Sequence, residues 1–166
     1  MKKILTITLF SFFISCTPGL HPDYTSNLET AKKILELQGT EADLDAQLAM
    51  IHEDLQWQPA FHGSKEIGKT EFGAYLKGWH DAMEDVLFTP RNWLPGVSPE
   101  TGLADGSVRT YGKWKGIHSA SGKSWELIGY HTWDFKDGKV IAGGDYFDAG
   151  GLMNSLKEEV VEDATE

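Results

Sequence analysis

Apolar and polar positions follow two different periods along the chain. In the N-terminal half, apolar residues recur every three or four positions, the spacing of an amphipathic helix. This spacing predicts three helices, over residues 28–38, 41–51 and 70–85. Ser26 and Glu29 form a capping box where the first helix begins, and Gly39 marks where it ends. Between the second and the third helix, residues 55–59 favour an extended conformation.

The last third of the chain changes to the period of two that β-strands show. It contains three strand-like runs, over residues 107–117, 124–135 and 140–147, with turn-forming residues between them. Residues 88–106 are rich in Pro and Gly and predict a long irregular connection, with a short strand near Trp93. Helices followed by consecutive strands predict an α+β fold, with the helices packed on one face of a curved antiparallel sheet.

The first 16 residues have a pattern of their own. Two lysines precede an apolar run over residues 4–14, and the only cysteine of the chain, Cys16, follows closely. The run is shorter than the roughly 20 residues that span a membrane, and it fits the core of a secretory signal. The segment resembles a bacterial lipoprotein signal, in which the cysteine is lipidated; an ordinary cleaved signal peptide is the alternative. We expect a signal peptide over residues 1–15, and a lipidated Cys16 with its tether over residues 16–25.

The charge balance is acidic. The 166 residues include 25 Asp and Glu against 15 Lys and Arg, a formal net charge of −10. Removing residues 1–15 would take away two lysines and no acidic residue. A nucleic-acid partner is therefore not expected, because phosphate binding needs a cationic surface. The expected location is the bacterial cell envelope, in the periplasm or at the outer membrane, with contact to the membrane through the lipid anchor alone; secretion is the alternative.

Strand alternation sorts the side chains of the second predicted strand into two faces. His131 and Trp133 belong to the larger and more apolar face, which we expect to meet the helices. The face of the third strand depends on the turn at residues 137–138. A type I turn with a G1 bulge puts Asp145 and Phe147 on the face of His131, whereas a two-residue type I′ turn does not. We expect the bulged turn.

In that register His131 and Asp145 are diagonal neighbours on the concave face. Gly143 and Gly144 would leave space beside them for a ligand close to the backbone. A histidine next to a carboxylate can serve as a general base, since its charge changes near neutral pH. The alternative is a partly buried histidine that is hydrogen-bonded to a structural aspartate.

The chain has six tryptophans, and aromatic side chains supply large apolar area with few rotatable bonds. Some of them must fill the core. Trp114 and Trp133 are expected on the concave face beside His131, and Trp57 and Trp79 come from segments that should close over it. An aromatic cavity with a few polar groups suits a small apolar or cyclic ligand. The expected ligand-binding residues are Trp57, Trp79, Trp114, Trp133 and Phe147.

Three stretches carry a resemblance to a known family: DGSVRTYGKWKG from residue 105, YHTWDFKDGKV from residue 130 and DYFDAGGL from residue 145. They resemble the SnoaL-like branch of the nuclear-transport-factor-2-like superfamily. The resemblance implies a cone of three N-terminal helices on a strongly curved mixed or antiparallel sheet, with an apolar cavity inside. We expect this domain over residues 26–156 and an acidic tail over residues 157–166.

Members of that superfamily include isomerases, dehydratases, cyclases and non-catalytic binding domains, so the fold does not choose among them. The steroid-isomerase relatives place an aspartate base before a proline, where this chain has Gln58 before Pro59. We therefore expect a domain that binds a small, partly apolar molecule without dedicated catalysis. An isomerase or lyase that uses His131 and Asp145 is the first alternative.

The second alternative is a structural module that forms a homodimer through the convex face of its sheet, where Tyr130, Thr132 and Tyr146 are expected. No cofactor and no metal site are expected. The sequence His52-Glu53 lacks the second histidine of a zinc-binding His-Glu-x-x-His motif, because Gln56 stands there.

Overall fold

The structure is a computed structural model that describes residues 19–157. The predicted signal peptide, Cys16 and all but the first residue of the acidic tail lie outside the described residues. In chain order the described elements are α1 (Tyr24–Gln38), α2 (Leu44–Ala49), β1 (Ile51–Gln58), α3 (Lys69–Ala82), β2 (Met83–Val97), β3 (Ala104–His118), β4 (Ser124–Lys136), β5 (Lys139–Tyr146) and α4 (Ala149–Leu156).

The five strands form one mixed sheet in the order β1-β5-β4-β3-β2. β1 runs parallel to β5, and the other neighbours are antiparallel. One core joins the helices to this sheet, because Ile34 of α1 and Phe72 of α3 pack in a single cluster with Trp114 of β3 and Trp133 of β4. The predicted α+β fold, with helices on one face of a sheet, is confirmed.

The prediction of a long irregular connection over residues 88–106 is wrong. Most of it belongs to β2, which pairs with β3 from Met83 to Val97. Pro90 and Pro95 are tolerated there because β2 is an edge strand, where a missing N–H interrupts no central ladder. The pairing register shifts after each of these prolines. The long-range pairing with β3 therefore overrides the local turn signals.

The helix boundaries also differ from the predicted ones. α3 ends at Ala82, and the chain turns at once into β2. The capping box at Ser26 is not formed: α1 begins earlier, and the Ser26 hydroxyl donates to the backbone carbonyl of Asp23 at 2.9 Å. A different residue anchors this helix to the sheet. The buried side-chain amide of Asn27 donates to the backbone carbonyl of Gly106 at 2.9 Å and fixes α1 against β3.

The β4–β5 hairpin has a two-residue turn and, separately, a bulge further along β5. Asp137 and Gly138 both have positive φ, 51° and 73°, as a type I′ turn requires. The predicted bulged turn is therefore wrong. A bulge lies instead within β5 at Ile141, between the pairs Phe135↔Val140 and Asp134↔Ala142. Because this bulge shifts the register by one residue, Asp145 still reaches the concave face, directly opposite His131 and not diagonal to it.

The space expected beside Gly143 and Gly144 is not free. β1 pairs with β5 so that Trp57 lies beside Gly143 and Gln58 beside Gly144. A Cβ atom on Gly143 would come within 2.7 Å of the Trp57 ring, and one on Gly144 within 3.1 Å of the Gln58 Cβ. These glycines therefore admit the neighbouring strand, and the expectation of ligand space at this point is wrong.

Candidate functional site

The carboxylate of Asp145 is the centre of a partly buried hydrogen-bond network. Nδ1 of His131 contacts its Oδ1 at 2.7 Å. The Tyr75 hydroxyl donates to its Oδ2 at 2.8 Å, and the Trp57 indole donates to the same oxygen at 3.3 Å. The network thus joins α3, β1, β4 and β5 at one point. These contacts hold the carboxylate in one orientation.

The indole of Trp114 fixes the tautomer of His131. Its Nε1 donates to Nε2 of His131 at 2.8 Å. An indole N–H can only donate, so Nε2 of the imidazole must be the unprotonated nitrogen. Nδ1 therefore carries the proton and donates to Asp145. In this arrangement the imidazole is neutral, and both of its nitrogens have partners.

A glycine on β4 makes room for this imidazole. Gly129 lies two residues before His131 on the same face of the strand. A Cβ atom on Gly129 would lie 2.8 Å from Nε2 of His131 and 3.5 Å from Cδ1 of Trp114. The absence of a side chain at Gly129 therefore allows the contact between His131 and Trp114.

The two ends of the His131–Asp145 pair differ in exposure. The His131 side chain is 3% exposed and that of Asp145 is 13% exposed.

Burial and the nearby charge of Asp145 raise the pKa of the Tyr75 hydroxyl well above 10.0, its ordinary value, so Tyr75 remains a hydrogen-bond donor to the carboxylate.

A cavity of about 70 Å³ lies between the helices and the concave face of the sheet. All seven side chains that the sequence predicts for the site line it: Trp57, Trp79, Trp114, His131, Trp133, Asp145 and Phe147. The structure therefore brings the predicted set together in one place. The roles proposed for these residues, catalytic or ligand-binding, stay predictions.

The lining also contains residues that the sequence analysis does not single out, among them Gln47 and Tyr75. Tyr75 precedes Trp79 by four residues, so the helical period alone could have placed both on one face of α3. Gln47 gives no such signal, because a glutamine on a short amphipathic helix is ordinarily assigned to the solvent side.

Aromatic rings continue from the cavity toward solvent. Trp79 contacts Phe147 with ring centroids 5.7 Å apart, and Phe61 stacks on Trp79 at 6.1 Å. Phe61 is 38% exposed and belongs to the connection between β1 and α3. It therefore covers the outer side of one cavity wall.

The part of the chain that the structure describes has neither a metal-binding cluster nor a membrane-spanning helix. Residues 19–157 contain no group of three or more His, Cys, Asp or Glu side chains arranged to hold a metal ion. Within the same range, no helix has both the length and the apolar character needed to cross a membrane.

The fold and the cavity define a class of α+β domains in which helices and a mixed sheet enclose an aromatic cavity. The family model of the SnoaL-like domain matches residues 36–142, which is more than half of the chain. The protein thus belongs to the SnoaL-like family. No curated protein matches the sequence.

Solved structures with the same fold come from several bacteria. A predicted SnoaL-like polyketide cyclase from Jannaschia sp. CCS1 has a TM-score of 0.68 at 13% identity, over 83% of this chain and 96% of that one. A predicted isomerase from Bacillus subtilis has a TM-score of 0.66 at 18% identity, over 82% and 96%. An LEH-like epoxide hydrolase from M. tuberculosis has a TM-score of 0.60 at 18% identity, over 81% and 92%. At these identities the likeness shows the fold alone.

Proposed function

We propose that this protein binds a small, mostly apolar molecule that presents a hydrogen-bond donor to Asp145. The observation that carries the proposal is the placement of a carboxylate in the wall of an aromatic cavity. A carboxylate offers about four acceptor sites, and three donors already contact Asp145. One acceptor site therefore remains for a ligand, which would be neutral or cationic because an anion would be repelled.

The size of the cavity limits what it can hold without rearrangement. At about 70 Å³, it is about half the volume of the engineered apolar cavity of about 150 Å³ that binds benzene. A larger ligand requires side chains in the wall to move. Met83 lines the cavity and has the unbranched, flexible side chain that adapts most easily to such a change.

An enzyme is the second candidate, and the hydrogen bonds of His131 favour Asp145 as the group that would act. The lone pair of its Nε2 already accepts a hydrogen bond from Trp114, so the imidazole has no free site for a proton. In a proton-transfer reaction Asp145 would take the proton, and His131 would position it. Fold relatives named as a cyclase, an isomerase and an epoxide hydrolase are consistent with such chemistry.

A dimerising module is the third candidate. Tyr130 and Thr132 alternate with His131 along β4 and therefore belong to the opposite face of the sheet, and Tyr146 lies opposite Tyr130. Tyr146 is 50% exposed, and Ile128 on the same face is 73% exposed. A second copy of the chain packed on this face would cover both.

Native mass spectrometry of the full chain purified from its own host separates the three candidates. We expect a retained small molecule in the wild-type protein and its loss in Asp145→Asn. Asp134→Asn is the matched control, because Asp134 pairs with Arg109 outside the cavity at 2.8 Å and should leave the bound molecule in place. Chemical conversion of the retained molecule on incubation would support the enzyme. A dimer mass with no bound molecule would favour the dimerising module.

We also propose that the protein is held at the bacterial cell envelope by a lipid on Cys16. The motif in residues 1–16 supports this proposal, and the acidic charge makes electrostatic attachment to an anionic leaflet unfavourable. Metabolic labelling with a fatty-acid analogue should mark the wild-type chain in the membrane fraction, and Cys16→Ser should remove the label. An unlabelled wild-type chain recovered in the soluble fraction would favour secretion.

A further inference from the structure

Two further polar side chains line the cavity, those of Gln47 and Trp125. Gln47 lies on α2 and is completely buried. Its Nε2 donates to the backbone carbonyl of Ile34 at 3.0 Å and to Oε1 of Gln38 at 3.0 Å. Because a backbone carbonyl can only accept, the amide orientation of Gln47 is fixed. Its Oε1 is therefore an acceptor, and it has no hydrogen-bond partner within residues 19–157.

Trp125 supplies the complementary atom. Its side chain lies on the concave face of β4, and the residue is 8% exposed. The indole Nε1 is buried and has no hydrogen-bond partner in the described part of the chain. An indole N–H can only donate. Trp125 therefore lacks an acceptor, just as Gln47 lacks a donor.

Both residues line the same cavity as Asp145. Buried polar groups in proteins are nearly always hydrogen-bonded, so each exception needs a physical cause. An unpartnered acceptor and an unpartnered donor in the lining of one cavity indicate an occupant that supplies both missing partners. The aromatic and aliphatic side chains that make up most of the lining cannot do so.

We infer that the ligand proposed above carries a hydroxyl group, and that this group binds at the polar subsite formed by Gln47 Oε1 and Trp125 Nε1. The inference rests on the proposed binding function. A hydroxyl donates one hydrogen bond and accepts others, so it can satisfy both atoms. A carbonyl would leave Gln47 without a donor, and an ammonium would leave Trp125 without an acceptor.

The position of the subsite along β4 restricts the shape of the ligand. Trp125 and His131 are six residues apart, so their Cα atoms are separated by at most about 20 Å at the usual rise of a strand. Leu127 lies between them and also lines the cavity. A molecule that reaches both the subsite and Asp145 therefore has two polar groups with an apolar segment between them. Because the cavity measures only about 70 Å³, side chains in its wall must move to admit such a molecule.

Matched pairs of 1-alkanols and α,ω-alkanediols of increasing chain length test this inference. Each pair differs only in the second hydroxyl, so the ratio of the two dissociation constants measures the second polar contact. Isothermal titration of the purified full chain should show one chain length at which the diol binds about tenfold tighter, the effect of one buried hydrogen bond.

Trp125→Phe removes the N–H donor and keeps an aromatic ring, so it should bring the ratio close to one. Gln47→Met, which removes the acceptor at similar side-chain length, should do the same. Trp133→Phe is the matched control, because it makes the same change on the same face of β4 and lines the cavity outside the subsite. In that variant the dissociation constants of the alkanol and the diol should rise by the same factor, and their ratio should stay as in the wild type.

The failure of the inference and the failure of the proposed function give different results. Equal binding of alkanol and diol at every chain length would overturn the hydroxyl subsite and leave the binding function standing. A diol preference that survives in Trp125→Phe and in Gln47→Met would also overturn it. Absence of binding by both kinds of probe would overturn the subsite and the binding function together.

Discussion

The indole Nε1 of Trp114 donates to Nε2 of His131 at 2.8 Å, and the opposite nitrogen of the same imidazole lies 2.7 Å from Oδ1 of Asp145. This chain of contacts makes His131 a neutral link between an indole and a carboxylate. The position of His131 determines how the Asp145 carboxylate is oriented. Of the three residues Trp114, His131 and Asp145, the aspartate has an acceptor site left for a ligand.

The first prediction concerns the tautomer of His131. Because Trp114 occupies Nε2, long-range ¹H–¹⁵N spectra at neutral pH should show Nδ1 protonated and Nε2 unprotonated. In Trp114→Phe, Nε2 is left buried without a donor, which should lower the free energy of unfolding by about 1–3 kcal/mol.

Trp93→Phe is the control for this loss, because it makes the same change at an indole that packs on Trp133. It should cost less than Trp114→Phe. Equal losses in the two variants, or a wild-type spectrum with Nε2 protonated, would contradict the assignment.

The second prediction concerns the charge at Asp145. In Asp145→Asn, an amide with a single oxygen replaces a carboxylate that accepts from His131, Tyr75 and Trp57. At least one donor then faces an NH₂ group or no acceptor, and we expect a loss of about 3 kcal/mol in urea unfolding.

Asp134→Asn provides the comparison, because its pair with Arg109 involves an aspartate side chain that is 45% exposed. That variant should lose less than about 1 kcal/mol. A smaller loss for Asp145→Asn than for Asp134→Asn would mean that the buried network contributes little to stability.

The third prediction is a dependence of stability on alkaline pH. Burial and the charge of Asp145 raise the pKa of the Tyr75 hydroxyl in the folded state above its unfolded value of 10.0. The folded state therefore retains a proton that the unfolded state loses, and stability should fall as the pH rises above 10, by up to about 1.4 kcal/mol per pH unit from this group.

Tyr75→Phe removes that contribution. The free energy of unfolding of the variant should fall less steeply above pH 10 than that of the wild type, when both are measured by urea titration at several alkaline pH values. Since the other tyrosines are present in both proteins, the difference between the two slopes isolates Tyr75. Parallel slopes would show that the Tyr75 hydroxyl is not held in its protonated form by the fold.

The fourth prediction concerns the space above Gly129. In Gly129→Ala the new methyl group would lie 2.8 Å from Nε2 of His131, so the imidazole must move away from Trp114. We expect a loss of stability of about 1–3 kcal/mol and a change in the His131 nitrogen shifts.

Gly78→Ala makes the same substitution at an exposed position of α3 where nothing lies within 4 Å of the added atom. It should stabilise the protein slightly, since alanine favours a helix more than glycine does. Unchanged His131 shifts in Gly129→Ala would show that the imidazole does not depend on this gap.

Local sequence patterns account for most of the elements and for the faces of β3 and β4. The alternation that puts His131 and Trp133 on one side of β4 is a property of extended backbone, and it needs no partner strand. The same is true of the helical faces. The family resemblance added the cone and its cavity, and the family and the α+β fold are both confirmed.

Where the local signals were wrong, long-range pairing decided the outcome. Pro90 and Pro95 predict a break, yet both lie in a strand, because β2 is at the edge of the sheet and has β3 along its whole length. Asp137 and Gly138 set the turn, but the bulge at Ile141 sets which face Asp145 occupies. No property of residues 137–138 reveals that bulge.

The sequence by itself determined that His131 and Trp133 share an apolar face of one strand, because side-chain period and residue type are local. Only the tertiary structure decided what these residues do to one another. Trp114 comes from β3 and Tyr75 from α3, and their contacts make His131 neutral and leave Asp145 one free acceptor site. Such contacts join residues far apart in the chain, so no local pattern could encode their geometry.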